Sequence, residues 1–274
     1  MKELRFKFTV AKNMLFILTH LPKAKRYIRK TDTYTDEDRF IFAQEIMHRM
    51  RKSSKTETDV YGMENLPKEN GYIMYSNHQG KYDGIGILLS QNQPCRALWR
   101  KDTADKFVAR ECAGLIMAKL IDSEHELLKV LRILNEIANE VKDGHNYLIF
   151  PEGKYEENHN NLQEFKHGCF RSSLKSKAPI VPIAVYDSWK SMNTRNLFKK
   201  VTTQIHYLKP IYYDEYKDMN ETQIAELVKS RIQARLDEIE NGTVNAKLSR
   251  KITLRDRKTI KKSSKELTDN ESAI

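Results

Sequence analysis

The chain has 274 residues, 39% hydrophobic and 31% charged, which bounds it to a water-compatible protein long enough for one large α/β domain with appendages. Its net charge of +11 is uneven: residues 1–30 and 247–265 carry +8 each, residues 266–274 carry −3, and residues 31–246 are left at −2. The longest uncharged stretch near the start runs from Asn13 to Pro22, short of the roughly 20 apolar residues that a spanning helix needs. No small-residue cleavage site follows it, so neither a transmembrane segment nor a signal peptide is expected. The cysteines Cys95, Cys112 and Cys169 are scattered and odd in number, which argues against a disulfide framework or a zinc site and for reduced thiols in a cytosolic compartment.

In chain order, residues 5–21 read as an amphipathic helix, with Phe8, Ala11, Leu15 and Leu18 at helical spacing and Arg5, Lys7 and Lys12 beside them. Pro22 is expected to end it, before the cations Lys23, Lys25, Arg26, Arg29 and Lys30. An apolar face next to cations suits an interfacial helix on an anionic membrane; the same face could pack on the domain. A second helix is expected over 35–52, with Asp36 and Glu37 in its first turn, where negative charge complements the helix dipole. Strands are expected at 58–62, 72–76, 95–100, 146–150, 180–186 and 203–209. Helices are expected at 83–91, 103–110, 111–121, 124–142, 167–176 and 220–240. The alternation predicts an α/β fold, a mainly parallel sheet flanked by helices. The organisation is an N-terminal two-helix, membrane-contacting element over 1–54, an α/β domain over 55–241 and a basic, disordered tail over 242–274.

The informative stretch is Asn77-His78-Gln79-Gly80-Lys81-Tyr82-Asp83, directly after the apolar run 71–75. It delivers a histidine and an aspartate together just past a buried strand, where α/β folds gather their active residues. The imidazole can take a proton while the carboxylate fixes its tautomer and stabilises the cation. Asp83 could also cap the helix that follows it. Downstream come Phe150-Pro151-Glu152-Gly153, then Phe165-Lys166-His167-Gly168, then Val181-Pro182-Ile183. No nucleophile elbow, phosphate loop, dinucleotide fingerprint or zinc spacing is present in the sequence.

In their order, these four blocks over roughly residues 58–190 resemble the glycerolipid acyltransferases, the group that includes 1-acylglycerol-3-phosphate acyltransferases. The resemblance implies transfer of a fatty acyl group from acyl-CoA or acyl carrier protein to a lysolipid hydroxyl, most readily 1-acylglycerol-3-phosphate. His78 would be the base and Asp83 its partner. Asn77, Lys101, Glu152, Gly153, Lys154, Lys166 and Arg171 would contact substrate, and the oxyanion would be met by backbone N–H groups near Gly80 or Gly153. No metal and no cofactor beyond the acyl thioester co-substrate is expected. The expected location is cytoplasmic, peripheral on the cytoplasmic membrane face, with no nucleic-acid partner; the oligomeric state is left open. The chain departs from the family pattern at two arginines linked to the acceptor phosphate: Lys154-Tyr155 follow Glu152-Gly153, and Ser123 follows Ile121-Asp122. An arginine fork grips phosphate bidentately, whereas lysine is a point charge. The departure keeps a rival reading open, a lipid- or membrane-binding module with a relict acyltransferase site.

Overall fold

The computed structural model describes residues 4–105, 109–122, 127–192 and 197–256. It opens with three helices, α1 (Leu4–Lys12), α2 (Met14–Arg29) and α3 (Asp36–Ser53), where the sequence predicts two. The break falls at Asn13, whose side-chain amide donates to Thr9 O (2.7 Å) and Ser53 Oγ (2.8 Å) and so pins the joint to the end of α3. Pro22 does not end the helix. It lies inside α2, where its missing N–H costs one backbone bond while Phe16 and Ala24 on either side of it stay packed in the core. Arg5, expected as a flanking cation, is fully buried. Its guanidinium donates to Ser54 O and to Lys199 O (2.7 Å). Thr35 and Asp38 close a capping box at the start of α3.

The remaining elements are β1 (Thr56–Tyr61), β2 (Ile73–Ser76), α4 (Asp83–Ser90), β3 (Cys95–Arg100), α5 (Lys101–Ala104), α6 (Ala109–Leu115), β4 (Lys119–Ile121), α7 (Leu127–Lys142), β5 (Asn146–Ile149), α8 (Arg171–Ser176), β6 (Ile180–Tyr186), α9 (Trp189–Met192), β7 (Val201–Tyr207), α10 (Tyr213–Tyr216), α11 (Glu221–Glu240) and β8 (Leu248–Ile252). The strands form one eight-stranded sheet in the order β4-β3-β5-β2-β6-β7-β1-β8. It is mainly parallel, as expected; β7 on β6 and β8 on β1 are the antiparallel pairs.

Two strands were not predicted. The sequence pattern puts residues 119–121 at the end of a helix. Instead Met117 takes a left-handed conformation (φ 51°) after α6, and Lys119–Ile121 pairs with β3. Leu248–Ile252 falls in the segment read as a disordered tail; it covers the open edge of β1 and buries Ile252 in the core. The basic run beyond residue 256, part of predicted helix 103–110 and the start of predicted helix 124–142 lie outside the described residues, as does Ser123.

Side chains alternate across the sheet. Met74 faces the layer that holds Phe40, Ala43 and Leu88 of α3 and α4, while Ile73 and Tyr75 face Leu134 and Ile137 of α7 and Ile224 and Val228 of α11. Strands covered on both faces read as unbroken apolar runs, which is why β2, β5 and β6 are legible in the sequence. The carboxyl ends of β2, β5 and β6 share one edge of the sheet. Because β7 runs against β6 and β1 runs with β7, the starts of β7 and β1 come to that same edge. Arg5 bonds to Ser54 and Lys199, which lead into those two strands, so α1 sits at this edge as well.

Candidate active site

The chain leaves β2 through Ser76 and Asn77, both buried. The Asn77 carboxamide donates to Val185 O (3.0 Å) and accepts from Val185 N–H (2.7 Å). It is spent on the backbone of β6, where it clamps the exit of β2. Gln79 does similar work, donating to Val185 O (2.9 Å) and Asn160 Oδ1 (3.0 Å) and accepting from Ser188 N–H (3.0 Å). Between these two anchors, the chain can present His78 in only a narrow range of positions.

His78 Nδ1 lies 2.6 Å from Asp83 Oδ2. The same oxygen accepts the N–H of Gln79 (2.5 Å) and of Gly80 (2.9 Å). Asp83 is the first residue of α4, but its carboxylate points back into the loop and does not cap the helix. With a carboxylate on Nδ1, the neutral ring carries its proton there and leaves Nε2 basic. The ring is stacked on Phe150 (centroids 4.3 Å) and met edge-on by Tyr155 (4.8 Å). Its side chain remains 18% exposed, against 0% for Asp83, so the imidazole can meet a solute while its partner cannot.

Glu152 is buried, and one of its carboxyl oxygens accepts from the Gln163 side-chain amide. Burial pushes this carboxyl up to about 7, against the pull of the Gln163 hydrogen bond. Gly153 is left-handed (φ 74°), and a Cβ there would stand 3.1 Å from Lys166 Cε, so Lys166 lies along this turn.

The other expected contacts separate. Lys101 begins α5 at the carboxyl end of β3 and is exposed, at the same edge as His78. Lys154 is exposed and paired with Glu156 (2.8 Å). Arg171 pairs with Glu221 of α11 (3.6 Å). The N–H groups of Gly80 and Gly153 donate to Asp83 and to Phe150 O (3.0 Å), so neither is open to an oxyanion. Sequence reasoning missed Gln79, Lys81 and Tyr155. The first two lie inside the informative stretch, but spacing alone does not say which way a loop side chain turns.

Residues 57–186 match the family model described as Acyltransferase. Over this span, just under half of the chain, the protein is similar to that family. A chloroplastic 1-acyl-sn-glycerol-3-phosphate acyltransferase of Brassica napus is 30% identical over 164 residues, 57% of this chain and 45% of that one. The 1-acyl-sn-glycerol-3-phosphate acyltransferase alpha of Mus musculus is 25% identical over 160 residues, 56% of this chain and 54% of that one. The chain thus spans about half the length of these relatives. The crystal structure of the 1-acyl-sn-glycerophosphate acyltransferase PlsC from Thermotoga maritima superimposes with a TM-score of 0.69, over 87% of this chain and 96% of that one, at 16% identity. That likeness establishes the fold. The span matched by the family model carries His78, Asp83 and Glu152. Among the described residues, no helix is long and apolar enough to cross a membrane, and no group of His, Cys, Asp and Glu is arranged to hold a metal ion.

Proposed function

We propose that the protein moves a fatty acyl group from a thioester, acyl-CoA or acyl carrier protein, to the hydroxyl of a lysolipid, with 1-acylglycerol-3-phosphate the foremost acceptor. The observation that carries this reading is the 2.6 Å contact of His78 Nδ1 with Asp83 Oδ2, which leaves Nε2 as a base on an acyltransferase domain. The acceptor hydroxyl gives its proton to Nε2 as its oxygen attacks the thioester carbonyl carbon. The carboxylate of Asp83 stabilises the imidazolium. The tetrahedral intermediate collapses with cleavage of the C–S bond, and the imidazolium returns its proton to the departing sulfur. No covalent acyl-enzyme is needed. Glu152 lies in the turn that follows β5, and Lys101 and Lys166 supply positive charge for substrate at the same edge.

On this reading the reaction takes place at an anionic membrane surface, on its cytoplasmic face. Leu4, Phe8, Leu15 and Leu18 are exposed on α1 and α2, at 48%, 37%, 77% and 53%. Lys7, Lys12, Lys23, Lys25, Arg26 and Arg29 are exposed around them. Apolar side chains ringed by cations suit an interfacial helix on anionic lipid, and α1 lies at the edge of the sheet that carries His78. A lipid acceptor would then reach the base without leaving the bilayer surface.

The test is transfer of labelled palmitoyl from CoA, and separately from carrier protein, to a panel of lysolipids presented in vesicles. Transfer to one acceptor above the rest supports the reading and names the substrate. Absence of transfer to every acceptor, with vesicle binding retained, would favour the relict binding module that the missing arginines raise.

A further inference from the structure

The loop between β5 and α8 reaches the base at one point and the residue after the base at another. The Tyr155 ring meets the imidazole of His78 edge-on at 4.8 Å, and Asn160 meets the side chain of Gln79. Asn160 Oδ1 accepts from the Gln79 side-chain amide (3.0 Å) and from the N–H of Asp187 (2.9 Å), while Asn160 Nδ2 donates to Asp187 Oδ1 (3.2 Å). Beside it the His159 ring is stacked on Trp189, with centroids 4.1 Å apart. Two consecutive loop residues thus grip the corner that follows β6. His159 (φ 52°) and Asp187 (φ 59°) are both left-handed, a conformation that is costly without glycine and persists where surrounding contacts hold it. Gln79 carries the grip to the base. Its side chain also bonds to Val185 O and Ser188 N–H, and its own N–H donates to Asp83 Oδ2, the oxygen that holds His78 Nδ1.

We propose that Asn160 is a positioning residue for the reaction: with Asp187 it forms a clasp that, through Gln79, locks the loop after β5 onto the turn presenting His78. This rests on the acyl-transfer reading above. A general base works only with its nitrogen within hydrogen-bond reach of the proton it takes, and a displacement of ~1 Å can cost ~10²-fold in rate. Val185 and Ser188 hold Gln79 from the side of β6, and Asn160 holds it from the side of the loop. The same loop brings the Tyr155 ring against the imidazole, so freeing Asn160 loosens both the residue after the base and the ring beside it. The clasp needs an amide at position 160. Its oxygen accepts from Gln79 and from the Asp187 N–H, and its nitrogen donates to the Asp187 carboxylate. An aspartate there would set two carboxylates face to face, whereas exchanging the two side chains restores every donor and acceptor. Asparagine at 187 suits the left-handed backbone, and the exchange gives up only the exposed pair of Asp187 with Lys190 (2.7 Å), a kind of contact worth little.

The experiment compares wild type with Asn160→Ala, Asn160→Asp, Asp187→Asn and the exchange variant Asn160→Asp/Asp187→Asn. The first readout is kcat and KM with palmitoyl-CoA and 1-acylglycerol-3-phosphate. Asn160→Ala and Asn160→Asp should lower kcat ~10-fold or more with both KM values little changed. Asp187→Asn should stay close to wild type, because an amide oxygen at 187 still accepts from Asn160. The exchange variant should recover most of the kcat lost in Asn160→Asp. An unchanged kcat in Asn160→Ala, a raised acceptor KM with kcat intact, or no recovery on exchange overturns the proposal. The second readout needs no turnover: hydrogen exchange of the Gln79 and Gly80 amides, both bound to Asp83 Oδ2. It should be ~10-fold faster in Asn160→Ala and Asn160→Asp, the worth of a lost hydrogen bond, and slow again in the exchange variant. Equal exchange in all the proteins, or faster exchange throughout the chain with a lower melting temperature, overturns the proposal even if the chain transfers no acyl group. Local acceleration that the exchange variant reverses, with no transfer by wild type, would sink the acyl-transfer reading and leave the clasp standing.

Discussion

Asp83 holds His78 through a single carboxylate oxygen, and that oxygen also gathers the N–H groups of Gln79 and Gly80. The loop is thus wound around the carboxylate of its own last residue. The arrangement fixes the imidazole tautomer and sets a negative charge beside Nδ1–H, where it stabilises the cation formed when Nε2 takes a proton.

Replacing Asp83 by Asn keeps the shape and removes the charge. The expected consequence is a kcat lower by ~10²–10⁴, the usual worth of an oriented general base, with acceptor KM little changed. Steady-state kinetics on the folded variant check it; a KM effect with kcat intact would mean that Asp83 serves binding.

Glu152 makes a separate, pH-dependent prediction. Its carboxyl stands at about 7 in the folded chain against an ordinary 4.5, so between those values the folded state holds a proton that the unfolded state has lost. The stability it contributes is full below about 4.5 and is lost as pH rises through 7, a loss of about 3 kcal/mol. Glu152→Gln should therefore flatten the fall in melting temperature between pH 5 and pH 8. Parallel curves for wild type and variant would contradict the assignment.

The parts of this site legible in the sequence are those that periodicity and residue type encode. The apolar runs 71–75 and 180–186 announced β2 and β6, and the strand-then-loop position of His78 announced its place at the carboxyl edge. Hidden were the features set by long-range partners. Asn77 looks like a site residue in the sequence, yet its carboxamide closes on Val185, 108 residues away. Arg5 looks like a surface cation, yet it is buried against carbonyls at the starts of two strands. The short strands β4 and β8 have no alternation of their own and form because β3 and β1 offer them an edge.

Acid should destabilise the fold through a different group. His206 is buried beneath Tyr61, with Arg235 close to it, and burial pulls its pKa from 6.5 down to about 3. His48, buried beside Arg51, falls to about 4 in the same way. In both, the unfolded chain takes up a proton that the folded chain refuses, so stability is full above about 6.5 and is lost as pH falls toward 3–4. Urea unfolding from pH 7 to pH 4 should show a shallower decline for His206→Gln than for wild type; an identical slope would remove His206 from the acid limb.

The exposed leucines of α2 give the membrane prediction. Leu15→Ser with Leu18→Ser removes two side chains at 77% and 53% exposure, worth about 2–3 kcal/mol if both enter lipid. Binding to anionic vesicles should weaken by ~30-fold or more while transfer to a soluble short-chain acceptor is retained. Unchanged vesicle sedimentation would place the contact elsewhere on the surface.

The most direct test of the central claim is the rate of acyl transfer from palmitoyl-CoA to 1-acylglycerol-3-phosphate by wild type and by His78→Ala at equal, folded concentrations. A base at Nε2 predicts clear transfer by wild type and a loss of at least ~10²-fold in the variant. Transfer of equal rate in the two proteins would contradict it.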